Sequence, residues 1–212
     1  LPAKLMGLNP KKFRQFDNLI KNKNFLNLLV RNVGAIFYYI KQKKSNSVVI
    51  NYDHRSNYLF QWYQQLVAES LGKKGKGILP FISTMPKDNH SLMQFYLDGV
   101  KNNFYTLFFV KDKNSSKINN SRVLQTHEYL KNKNFNDIAY SQYLATINVF
   151  KKKKIPFRSF VIKDRSEESL GELFTFFILE TILLGMALKV DPYGQPAVEL
   201  IKKDTKKFLL DF

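Results

Sequence analysis

The chain has 212 residues, of which 44% are hydrophobic, a formal charge of +17 and no cysteine. That length and apolar content suffice for one large domain with a substantial core. The absent thiol excludes disulfides, cysteine nucleophiles and cysteine-based zinc sites.

Residues 1–46 are predicted mostly helical. In "NFLNLLVRNVGAIFYYI" the residues Phe25, Leu28, Leu29, Asn32, Ile36 and Ile40 fall near one stripe. A short β-branched strand follows over 47–52. Leu59, Trp62, Leu66 and Glu69 then step by three and four, so they share one helical face. Gly72 suits the C-terminal cap of that helix. A second strand is predicted over 77–83. "DNHSLMQFYLDG" reads as one short helix, opened by Asp88 or Asn89 and closed by Gly99. Residues 104–110, "FYTLFFV", form an apolar strand, and "DKNSSKINNS" is a polar loop. A helix over 136–150, a strand over 157–162 and a long helix over 166–189 complete the alternation. "DPYGQP" is a turn, and a last helix begins near Pro196, a residue allowed in a first turn. In that helix Val198, Ile201, Thr205 and Phe208 are expected to pack on the core. Strands apolar on both faces, alternating with helices, predict an α/β fold. The expected form is a three-layer α/β/α sandwich around a mainly parallel sheet.

The charge invites a nucleic-acid reading, but only six of the 34 basic residues are arginine and the lysines are scattered. A solvated lysine surface is expected, with no nucleic-acid partner. Residues 173–188 are apolar, but Glu180 interrupts them, and the flanking pieces are shorter than the ~20 residues of a span. A buried helix is expected there, and no membrane partner. No signal peptide is visible. With no cysteine, a cytoplasmic location is the expectation.

Few residues could carry chemistry. His54, His90 and His127 are far apart and lack metal-ligand spacing, so no metal is expected. "GKKGKG" fits neither a P-loop nor a dinucleotide template. Glu69 stands against a local rule. It is a carboxylate at a helix C-terminus, where negative charge is unfavourable, just before a glycine- and lysine-rich loop. A carboxylate so placed can serve as a general base, or can simply pair with Lys73 or Lys74. Gln65, one turn earlier, could bond a ligand near it. His90, taken as a helix-start residue, could exchange a proton or merely bond to backbone. Gln195 and Lys202 are seven residues apart and share a side if the helix starts at Gln195. A lysine there could stabilise developing negative charge, or be one solvated lysine among several.

Three stretches together resemble the glucose-6-phosphate isomerase family. They are "YDHRSNYLFQWYQQLVAESLGKKGKGILP", "NHSLMQFYLDG" and "DPYGQPAVELIKK", in the family's order. The resemblance implies isomerisation of glucose 6-phosphate and fructose 6-phosphate through an enediol, without cofactor or metal. Glu69 would match the base that moves the proton between C1 and C2, and His90 the residue assisting ring opening. Lys202 would match the lysine near the ring oxygen, and Gln65 and Gln195 the substrate-contacting glutamines. In the family the histidine enters from the partner subunit, so a homodimer is implied. Two departures stand out. Gly194 replaces an acidic residue, and the histidine segment reads Asn-His-Ser in place of Gln-His-Ser.

The family's first sugar-isomerase (SIS) domain supplies a Ser/Thr-rich phosphate pocket and an enediolate-stabilising arginine. No motif here matches either, and "LPAKLMGLNPKKF" resembles the start of the second domain. The expectation is therefore one C-terminal SIS-type domain over 1–212, with a helical lead-in and a C-terminal helix. The upstream domain would be absent and the chain alone would have little or no activity. A non-catalytic sugar-phosphate-binding module is the alternative.

Overall fold

Four parallel strands in the order β2-β1-β3-β4 form the centre of the computed structural model, which describes residues 2–211. The chain runs α1 (Pro2–Leu5), α2 (Pro10–Phe13), α3 (Phe16–Leu19), α4 (Lys23–Lys41), β1 (Asn46–Asn51), α5 (Asn57–Leu71) and β2 (Leu79–Thr84). It continues through α6 (Lys87–Ser91), α7 (Met93–Asp98), β3 (Asn103–Val110), α8 (Phe135–Lys152), β4 (Phe157–Ile162), α9 (Glu167–Leu188) and α10 (Pro196–Asp211). Two short 3-10 turns interrupt the polar connection between β3 and α8. The expected three-layer α/β/α sandwich is the architecture found.

Every residue of β3 is buried, and β1 is buried from its second residue on. Central parallel strands are covered on both faces and so can be apolar throughout. On one face Val49, Phe104, Phe108 and Val110 pack with α4, α5 and α9. On the other Val48, Ile50, Leu107 and Phe109 pack with α7 and α8. Asn22 caps α4, Ser166 caps α9, and Asn134 with Asp137 makes a capping box on α8.

Three expectations need correction. In α4 the buried stripe is Leu29, Val33 and Ile36. Leu28 is exposed and Asn32 lies at the edge, its side-chain Oδ1 accepting from Arg158. The stretch after β2 forms two helices, because Leu92 leaves helical geometry (φ −122°, ψ −21°). Asp88 does not cap that stretch as expected. Its carboxylate accepts from the Thr84 N–H and the Ser91 hydroxyl, tying the end of β2 to α6. Finally, α10 does not pack on the core. Val198, Ile201, Thr205 and Phe208 are all exposed.

Helix α9 is long and apolar enough to cross a membrane by composition, yet here it packs on the sheet with nine buried residues. Glu180 within it is 2% exposed and forms a fork-like pair with Arg158 of β4. Thr106, Asn32 and the Tyr63 hydroxyl accept the remaining guanidinium hydrogens.

Candidate active site

Helix α5 places Gln65 and Glu69 one turn apart, and the turn before α10 brings Gln195 to the same point from 126 residues away. Gln65 Nε2 donates to Glu69 Oε1 at 2.9 Å, and Gln195 Nε2 donates to Glu69 Oε2 at 2.6 Å. Each carboxylate oxygen thus has one amide donor. Charge-assisted bonds of this kind are short and strong, and they fix the plane of the group. Glu69 is half-buried and lies beside the buried face of α5, which is Leu59, Phe60, Tyr63, Val67 and Leu71. Among the described residues no lysine pairs with it.

Lys73 does something else. Its ammonium donates to the carbonyls of Asp191, at 2.6 Å, and Tyr193, at 2.9 Å. This stitches the loop after α5 to the loop before α10 and so holds Gln195 against Glu69. The sequence offered only a lysine near a glutamate; the bond to carbonyls some 120 residues on left no local signal. Gly194 sits between, with φ +72° and no atom within 4 Å of where a Cβ would be. Glycine adopts that left-handed turn without strain, whereas an acidic side chain there would be strained. A cavity of about 930 Å³ opens beside this group, lined by Glu69, Lys73, Lys74, Tyr193, Gln195 and Glu199 among others. Its size is in the range of small-ligand sites.

Two candidates lie elsewhere. Lys202 is exposed and donates to Glu199 Oε1 at 2.6 Å, an i,i+3 pair on α10. Because α10 starts at Pro196, Gln195 precedes the helix and turns toward α5 instead of lining up with Lys202. His90 is exposed in the last turn of the five-residue α6, so a helix-start placement does not hold. Glu69 and His90 also belong to opposite ends of the sheet. Helix α5 returns to the edge where the parallel strands begin, and α6 follows the edge where β2 ends. Six residues of strand at about 3.3 Å each put roughly 20 Å between those edges.

The far edge carries a separate charged cluster. Arg165 donates to Asp53, which follows β1, and to Asp112, which follows β3. A bond from Arg165 holds the Asp112 carboxyl below its ordinary pKa. Both carboxylates are satisfied within the cluster, which clamps the ends of three strands. Among the described residues no three His, Asp or Glu side chains gather as metal ligands.

A structure described as a hypothetical protein from Thermus thermophilus superposes with a TM-score of 0.85 over 94% of this chain, at 22% identity and 49% of its own length. A glucose-6-phosphate isomerase structure from Chlamydia trachomatis matches with a TM-score of 0.63 over 78% of the chain and 34% of its own length, at 17% identity. These likenesses establish the fold. No protein-family model matches the chain. The sequence is 32% identical to the glucose-6-phosphate isomerase of Mycoplasmopsis pulmonis over 99% of this chain and 51% of that protein. It is 30% identical to the enzyme of the same name from Methanocaldococcus jannaschii over 90% of this chain and 47% of that protein. Over nearly its whole length the chain is thus homologous to proteins named glucose-6-phosphate isomerase, and it spans about half the length of the curated relatives it matches.

Proposed function

We propose that this chain supplies the glutamate-bearing half of a cytoplasmic glucose-6-phosphate isomerase. The observation that carries the reading is the Glu69 carboxylate, held by Gln65 and Gln195 at the wall of a ligand-sized cavity. With the open-chain sugar phosphate in that cavity, Glu69 takes the proton from C2, leaving a C1–C2 enediolate with its charge on O1. O1 gains a proton as the O2 hydroxyl gives one up, and Glu69 returns its own proton to C1 while the C2 carbonyl forms, so aldose becomes ketose with no net change in atoms. Such a transfer needs a positioned base and little else. The two glutamines keep the carboxylate plane fixed while the proton moves.

Lys202 would leave Glu199 and approach the ring oxygen when substrate is bound. His90 cannot reach the Glu69 of its own chain across the sheet, which supports a homodimer in which it opens the sugar ring in the partner's site. The phosphate cradle and the arginine facing the enediolate would come from outside residues 1–212. The chain alone would therefore turn over little or no substrate.

A coupled isomerase assay tests this, using the chain together with a polypeptide carrying the complementary half of a related isomerase. Glu69→Gln should lower kcat by about 10²–10⁴-fold while sugar phosphate still binds. Unchanged activity in that variant would sink the catalytic reading. Full turnover by the isolated chain would overturn the division of labour between halves. The dimer has its own check. In a mixture of Glu69→Gln and His90→Gln proteins, each inactive, half the dimers are mixed and each has one intact site. Activity should return to about a quarter of the wild-type level in an isologous dimer. No recovery would place His90 in its own chain's site, and an active His90→Gln protein would place it outside the site.

A further inference from the structure

On the other side of the glycine–lysine loop from Glu69 lies a second cavity, of about 540 Å³. The ends of α4 and α9 and the residues before β2 border it. Lys41, Lys43, Lys44, Lys76 and Lys189 line it, with Phe37 on one wall and no acidic residue. These lysines looked scattered in the sequence; the fold gathers five of them. Among the described residues none of the five forms a salt bridge. Two are held by backbone oxygens, Lys44 by Lys101 at 2.6 Å and Lys76 by Leu188 at 2.9 Å.

A simpler account is that the lysines neutralise the two helix ends. The magnitudes decide against it. A helix C-terminus carries about half a negative charge, so two ends leave roughly four of the five positive charges uncompensated. Conformation adds a second point. Lys43 (φ 59°) and Lys189 (φ 55°) occupy the left-handed position after a helix, where glycine is the usual residue. Lys154 ends α8 in the same way beside a cavity of only 210 Å³, so strain alone marks no site. Five lysines without a carboxylate partner among the described residues, around one half-open cavity of ligand size, do.

We propose that this cavity binds a small anion carrying a chain of two or more phosphates. Lysine suits such a ligand as a compact point charge that donates to phosphate oxygens. The cavity, about 540 Å³, is too small for a nucleic-acid duplex. The Lys41 ammonium stands over the Phe37 ring, 5.2 Å from its centroid, which places that charge at the cavity wall. The same chemistry is offered by an inorganic polyphosphate and by a nucleoside polyphosphate, and the inference does not depend on the isomerase reading.

Calorimetric titration of the chain at about 0.15 M salt, where loose surface attraction is screened, provides the test. Tripolyphosphate and ATP are the probes, and AMP is the single-phosphate control. Saturable binding of one tripolyphosphate per chain, with AMP much weaker, is expected. Tighter binding of ATP than of tripolyphosphate would assign a nucleoside polyphosphate, and equal binding the phosphate chain alone. Lys43→Gly with Lys189→Gly relieves the left-handed strain, so folding is retained while binding weakens about tenfold or more. Lys44→Gln with Lys76→Gln should weaken it likewise. Gln195→Ala, at the other cavity, and the remote pair Lys113→Gln with Lys117→Gln should leave affinity unchanged. The proposal is overturned by no saturable binding at millimolar probe, by equal loss in the remote pair, or by loss in Gln195→Ala.

Discussion

Helices α9 and α10 follow each other in the chain, and both carry large apolar side chains, but their surroundings differ completely. In α9 nine residues are buried against the sheet, α4 and α5. In α10 every side chain described is exposed, Ile201 by 69% and Phe208 by 61%. Apolar spacing states which face of a helix can be buried. Whether it is buried depends on a partner surface, and among the described residues α10 has none. Stability should therefore reside in α9 and be almost indifferent to α10.

The sharpest way to break that contrast is to unpair the charge inside α9. Glu180→Ala leaves the Arg158 guanidinium, 14% exposed, without its carboxylate. Removing one partner of a buried pair should lower stability by about 3–5 kcal/mol, read by urea unfolding. Phe177→Ala, at a site with 0% exposure, should lose a similar amount, about 3–5 kcal/mol, through the cavity it leaves. A loss below about 1 kcal/mol in both would mean that α9 is not the structural centre.

Gly171→Ala sharpens the contrast at the other end of α9. A Cβ there would stand 2.0 Å from the Phe13 carbonyl oxygen, so α2 must move away. Overpacking of this kind should destabilise by about 1–3 kcal/mol. Faster amide exchange confined to residues around 10–13 would locate the damage; uniform exchange would refute the close approach as its cause. A smaller effect is expected at the strand-end clamp. The lowered pKa of Asp112 contributes stability that is complete above the ordinary carboxylate value of about 3.9. That contribution disappears as pH falls through the lowered folded value. Asp112→Asn should thus flatten the acid limb of a plot of Tm against pH. An unchanged slope would remove Asp112 from the acid response.

The order of layers was legible because Val48, Val49 and Ile50 of β1 and most of Phe104 to Val110 in β3 are apolar on both faces, which only a sheet covered on both sides accommodates. The Gln65–Glu69 pair was legible from its spacing of four on a helix. The place of Gln195 beside Glu69 was not, since nothing local connects the two; spacing had aligned Gln195 with Lys202, and its substrate-contacting role came from the resemblance of "DPYGQPAVELIKK" to a known family. His90 was misplaced because the backbone at Leu92 splits one predicted helix in two, and propensity does not register a single off-helix residue. Lysine was the most deceptive letter. Lys73 bonds carbonyls far along the chain, and five others converge on one cavity, contacts that depend on tertiary folding alone.

The smallest expected effect is the most telling about α10. Ile201→Ala and Phe208→Ala should each change the stability of this chain by no more than about 0.5 kcal/mol, as exposed substitutions do. Leu184→Ala in α9, removing a side chain 2% exposed, should cost about 2–5 kcal/mol in the same assay. If Ile201→Ala instead costs a kilocalorie or more, α10 has found a surface in solution. Repeating the measurement across a range of protein concentration then identifies it. A cost that grows with concentration means a second copy covers the helix, and a constant cost means the helix folds back on its own chain. Should the cost stay near zero alone but rise when the complementary half of the isomerase is added, the apolar face of α10 belongs to the contact between halves. Lys202, on the same helix, would then be carried to the site only when that contact forms.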